Sequence, residues 1–180
     1  LFGKMEIPSE IMEKMECDFM YYKKAKQISF SRQKRNRKNI KYIVIHYTQN
    51  KGDTAKNNVD YFANVNKREA GAHFFVSANG DYAKSIPMNR SAWAVGGYVY
   101  DENAKYLNKC TNFNSISIEL CDAVDGWTVG HVTGTKKVIK YIHKYCPNAK
   151  TIICHHDVNG KNCPNWWKKF HSFKKLLEVK

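Results

Sequence analysis

Two short apolar segments, far apart in the chain, each end in a histidine: Tyr42-Ile43-Val44-Ile45-His46 and Thr151-Ile152-Ile153-Cys154-His155. Both read as buried strands. The sequence around them alternates helical and extended patterns. Thr54 to Asn64 places Ala55, Val59, Phe62 and Ala63 on one helical face, with Asp53 or Thr54 as N-cap. His73 to Ser77 and Tyr82 to Ile86 read as strands around Asn79-Gly80, a hairpin turn pair. Ser115 to Leu120 alternates, with Ile116, Ile118 and Leu120 on one side and Ser115, Ser117 and Glu119 on the other. Thr133 to Tyr145 reads as a helix carrying Val138, Ile139, Tyr141 and Ile142, and Trp166 to Leu177 as a closing helix. The expected fold is α/β, a central mixed β-sheet flanked by helices.

The first 38 residues have a different texture. Ile11, Met12, Met15 and Phe19 recur at helical spacing, so Ile7 to Met20 is expected to form an amphipathic helix. The basic run Ser31 to Lys38 reads as a solvated linker, because a charge run alone signals little more. The expected division is an extension over 1–38 and a main domain over 39–180. The 180 residues suffice for one core of that size.

Composition narrows the function classes. No apolar run approaches the roughly 20 residues of a membrane span. Leu1 to Asp18 has no continuous apolar core, so no secretory signal is expected and the chain is read as made in the cytoplasm. Six cysteines without a CxxC pair fit reduced thiols. The net charge of +14 draws the chain toward anions: nucleic acid, anionic lipid or anionic wall polymer. No nucleic-acid motif accompanies the charge, so no specific nucleic-acid partner is expected.

The strand ends of such a sheet share one edge, where ligands gather. That brings His46 and His155 under consideration together. Cys163 follows eight residues after His155, just before Pro164. Two imidazoles and a thiolate suit zinc, and three protein ligands leave a fourth position open for catalysis. A strand-end histidine is also a common core residue, so the spacing leaves both readings open.

Four pieces of sequence occur in a fixed order: Ile43-Val44-Ile45-His46-Tyr47-Thr48, Ala72-His73-Phe74, Asn114-Ser115-Ile116-Ser117-Ile118-Glu119, and His155-His156-Asp157-Val158 running on to Gly160-Lys161-Asn162-Cys163-Pro164. Together, over residues 39–170, they resemble the type-2 N-acetylmuramoyl-L-alanine amidases. That family includes phage endolysins, bacterial autolysins and the peptidoglycan recognition proteins. The resemblance implies Zn2+ in a surface groove, held by His46, His155 and Cys163. In His-x-Asp-Val the first histidine matches the ligand, which leaves His156 as the alternative if the register shifts. Glu119 matches the catalytic acid/base, a role that spacing alone would not assign. Lys161 matches a cation that stabilises the oxyanion. Asp157 is expected to orient a ligand or its loop from behind. Thr48 and His73 are expected to line the groove, and Trp93 to form either a wall on which a sugar stacks or part of the core. Ala72 stands where some relatives carry tyrosine, which points to the glutamate branch. Ala94 stands where many carry histidine.

The implied activity is hydrolysis of the amide between N-acetylmuramic acid and L-alanine in peptidoglycan, at the bacterial cell wall. Anionic wall polymers are a second partner class allowed by the charge. A non-catalytic peptidoglycan-binding module is the rival reading. Such relatives tend to lack the cysteine ligand, which this chain keeps.

Overall fold

The computed structural model describes residues 20–178. The helix expected over Ile7 to Met20 lies outside them, apart from Met20 itself. Six strands form one mixed sheet: β1 (Tyr21–Tyr22), β2 (Tyr42–Tyr47), β3 (Phe74–Val76), β4 (Tyr82–Lys84), β5 (Ser115–Leu120) and β6 (Thr151–Cys154), in the order β1-β4-β3-β5-β2-β6. β3, β5, β2 and β6 run parallel, while β3 and β4 make an antiparallel hairpin. Among the described residues, four α-helices accompany the sheet: α1 (Ala55–Asn64), α2 (Val129–Tyr145), α3 (His156–Asn159) and α4 (Phe170–Glu178).

Strand alternation sorts the side chains into two layers. Ile43, Ile45, Ile116, Ile118 and Leu120 face one way and pack with Val138 and Ile142 of α2 and Phe170 and Phe173 of α4. Each such side chain, fully removed from water, stabilises the fold by about 1.5–3 kcal/mol. On the other face, α1 sets Ala55 and Val59 against Phe75 and Ala83. Val44 and Ile153 meet Val95, Cys110 and Val158 there. Between these last two clusters the C-terminal ends of β2, β5 and β6 stay open to a groove.

Helix α2 starts four residues before the expected Thr133. Thr128 caps it, its hydroxyl accepting from the His131 amide while His131 Nδ1 accepts from the Thr128 amide. Gly130 and Gly134 weaken the helical pattern but are required here. A Cβ on Gly130 would sit 2.1 Å from the Ala78 carbonyl oxygen, and one on Gly134 would sit 2.7 Å from that of Gly80. The helix therefore crosses the hairpin turn at backbone contact. The closing helix begins as a 3-10 turn over Trp167–Lys169 and becomes α-helical at Phe170.

The basic run does not behave as a linker. Residues 20–38 are built into the fold: β1 pairs with β4, and Ala25 and Phe30 pack with Ile86 and Ala92. Arg35 reaches across the sheet. Its Nε donates to the Met88 carbonyl at 3.1 Å, and Nη1 donates to the carbonyls of Asn112 and Ser115 at 2.8 Å each. Local charge density carries no sign of such long-range ties. Among the described residues, the cysteines are free and buried, and no helix is long and apolar enough to cross a membrane.

Candidate metal centre and groove

Parallel pairing assembles the centre from three strands. β2 and β5 align His46 with Glu119, so both project from the same face at neighbouring positions. β2 and β6 align Ile45 with Cys154, and the His155 amide donates to the Ile45 carbonyl. His155 thus arrives one step further on, beside His46. The two rings lie 4.7 Å apart, edge to face. After the short α3 the chain turns at Gly160 and returns Cys163 to within 3.8 Å of His46 Nδ1.

One ligand atom from each of His46, His155 and Cys163 lies within 4.8 Å of the others, and all three side chains are buried. Three of their four ring nitrogens are left without a partner. Among the described residues, His46 Nε2 and both ring nitrogens of His155 have no hydrogen-bond partner. Buried imidazole nitrogens without partners are costly unless something else fills the role. Burial holds both imidazoles neutral: His46 is pushed well below its ordinary value, helped by His155 and Lys161, and His155 is pulled down to about 3. Burial and the nearby Glu119 push the Cys163 thiol up to about 12. Neutral imidazoles keep their lone pairs free for a metal, and a bound cation would favour the Cys163 thiolate over the thiol.

Glu119 stands at the edge of this cluster. Its Oε2 is shut off from solvent and has no partner. Burial pushes its carboxyl up to about 7, with Asp53 adding to the rise and Lys161 opposing it. Lys161 also depresses both imidazoles, so its ammonium acts on the whole cluster.

These groups floor a groove of about 980 Å3. Thr48 and Trp93 line it, along with Asp53, Asn58, Arg68, Asn112 and Lys161. Asp157 stands behind the floor. Its carboxylate accepts from the Cys154 amide at 3.0 Å, which braces the turn that carries His155 rather than the imidazole itself.

His73 departs from expectation. It is buried outside the groove lining, with Nδ1 accepting from the Ser117 amide at 3.1 Å and Nε2 facing the Arg90 carbonyl at 3.0 Å. Arg35 covers it at 3.0 Å. His156, the alternative ligand, stacks flat on Trp167 at 3.6 Å and takes no part in the cluster.

Two residues of the site lack any strong sequence signal. Asp53 looked like an N-cap, but Thr54 caps α1. Asp53 instead accepts from the Asp122 amide and from Asn58 Nδ2, which ties two groove loops together beside Glu119. Asn112 accepts from the amides of Ala94 and Val95 and so fixes the wall that follows Trp93.

Comparison with known proteins decides the family. The family model described as N-acetylmuramoyl-L-alanine amidase matches residues 36–166. The chain belongs to the N-acetylmuramoyl-L-alanine amidase family. It is 31% identical over 137 residues to the amidase CwlL of Bacillus licheniformis, which covers 71% of this chain and 37% of that one. It is 32% identical over 158 residues to the amidase BlyA of Bacillus subtilis (strain 168), covering 78% and 42%. The amidase-family chain thus spans about two-fifths of the length of these curated relatives. Its fold is that of the solved structure of PlyL, with a TM-score of 0.68 at 22% identity over 88% of this chain and 94% of that one. The matched family region contains His46, Glu119, His155, Lys161 and Cys163.

Proposed function

We propose that this chain hydrolyses the amide between N-acetylmuramic acid and L-alanine in bacterial peptidoglycan, with a zinc ion held by His46, His155 and Cys163. The convergence of these three buried donors on one point, with partnerless nitrogens, carries the reading. Two imidazoles and one thiolate are a donor set that zinc prefers, and three ligands leave a position open. When bound, the metal supplies Lewis acidity at the groove floor.

The chain's own residues supply the rest. Glu119 takes a proton from the attacking water and later delivers it to the departing amine. A carboxyl poised near 7 is matched to both directions of that transfer. Lys161 places a positive charge where the carbonyl oxygen becomes anionic. Thr48 and Trp93 form part of the groove that receives the substrate. Asp157 holds the turn that carries His155. His73 contributes to the core rather than to the substrate surface.

The net charge of +14 adds attraction toward anionic wall polymers at the site of action. The test is stem-peptide release from purified peptidoglycan, read by mass spectrometry with and without zinc. The proposal expects zinc-dependent release of peptides that begin at L-alanine and of glycan with free lactyl carboxylates. Products cut at any other bond, or no products from a zinc-loaded chain, would contradict it.

A further inference from the structure

The groove lining is mixed in character. Asp53, Asn57, Asn58, Arg68 and Glu69 offer charges and amides suited to a peptide. Trp93, Ala94, Gly96 and Gly97 line it as well, and aromatic rings stand at both ends of that stretch of chain. Trp93 meets Phe113 edge to face at 6.3 Å. Beyond Gly97, Tyr98 and Tyr100 meet edge to face at 4.9 Å. Tyr98 is 74% exposed and Tyr100 60%. Large aromatic faces left in water beside a groove mark an interaction surface more often than chance.

This surface is firmly mounted. The amides of Tyr100 and Asp101 donate to the Asn159 carbonyl at 2.7 and 3.1 Å, and Asn159 Nδ2 donates to the Tyr98 carbonyl at 3.2 Å. Gly160 is at φ +79°, and a Cβ there would lie 2.5 Å from that of Asp101. The Lys161 amide donates to Asn159 Oδ1 at 3.1 Å. The tyrosine loop and the turn bearing Lys161 and Cys163 therefore share Asn159 as a common fastening.

The geometry points to a saccharide-binding subsite: we propose that Tyr98 and Tyr100 bind the N-acetylhexosamine chain of the wall glycan at the groove rim. The inference rests on the amidase reading above. A tyrosine ring gives an apolar face for the C–H side of a pyranose and a hydroxyl for its polar edge. The bond proposed for cleavage joins a sugar to a peptide, so a substrate seated in the groove brings the glycan with it.

The experiment uses the zinc-loaded full chain and the double variant Tyr98→Ala/Tyr100→Ala, with Tyr98→Phe/Tyr100→Phe as the conservative pair. One arm titrates a peptide-free N-acetylglucosamine tetramer and follows the tyrosine ring signals by NMR. Saturable shifts at Tyr98 and Tyr100 in the wild type, with binding lost in the alanine pair and kept in the phenylalanine pair, support the subsite. Absence of such shifts overturns it. The second arm compares kcat/KM on polymeric peptidoglycan with that on a soluble monomeric muramoyl peptide. The polymer-to-monomer ratio should fall about tenfold in the alanine pair, through KM. An unchanged ratio overturns the proposal, as does sedimentation showing a wild-type dimer that the alanine pair dissolves. If the wild type cleaves neither substrate, the amidase reading fails, and the tetramer titration still decides the subsite alone.

Discussion

Replacing Arg35 with methionine tests how the basic run belongs to the fold. Methionine keeps the apolar stem but removes the guanidinium that donates to the carbonyls of Met88, Asn112 and Ser115. A hydrogen bond from a charged donor contributes about 1.5–3 kcal/mol. The loss of three is partly offset, because removing the charge also removes the burial cost that pulls Arg35 down to about 10. The expected net destabilisation is about 2–4 kcal/mol. With a urea slope of about 2 kcal/mol/M, the unfolding midpoint should fall by about 1–2 M. Exposed Lys34 is the control: Lys34→Met removes the same charge without these partners and should stay within about 0.5 kcal/mol of wild type. Arg35→Lys should recover less than half of the loss, since an ammonium cannot fork to several carbonyls. Equal midpoints for Arg35→Met and Lys34→Met would refute the reasoning and return the run to the status of a linker.

Three further outcomes follow from the geometry. Glu119→Gln should lower turnover by roughly 10²–10⁴-fold without changing zinc content, read by kinetics and metal analysis. In the metal-free protein, Glu119 titrates about 7 against an ordinary 4.5, so its ionised form costs stability. That cost is absent below pH 4.5 and complete above pH 7. Thermal unfolding in chelator should therefore show Glu119→Gln stabilised by at most about 3 kcal/mol at pH 8 and unchanged at pH 4. An equal effect at both would contradict the burial argument. Gly130→Ala should destabilise by about 2 kcal/mol or more in urea unfolding, because the new Cβ meets the Ala78 carbonyl; a gain of about 1 kcal/mol, the helix-propensity expectation, would show that the crossing is loose. Binding to purified wall should weaken steeply between low and high salt, and a flat response in a pull-down would remove charge from the account.

The strands that end in His46 and His155 were legible because uninterrupted apolar runs leave few alternatives. Their adjacency required the sheet order, which propensity does not encode. Cys163 sits on an irregular turn, so only its motif marked it. His73 was misplaced for a geometric reason. β3 pairs in parallel with β5 so that Phe75, not His73, stands beside Glu119. His73 is therefore two residues, roughly 6–7 Å, behind the strand ends that form the groove. Arg35 closes over it from a segment 38 positions away, and nothing in the local pattern announces such a contact. The start of α2 was hidden by Gly130, whose helical cost is outweighed by a tertiary fit that only the folded chain reveals. Tyr98 and Tyr100 gave no periodic signal at all.

X-ray absorption at the zinc edge of the purified chain measures the proposed centre directly. The account predicts a shell of two imidazole nitrogens, one sulfur at about 2.3 Å and one further light atom from solvent. The sulfur contribution should vanish in Cys163→Ser. A spectrum without sulfur in the wild type, or one with the fourth position filled by a protein side chain, would contradict it.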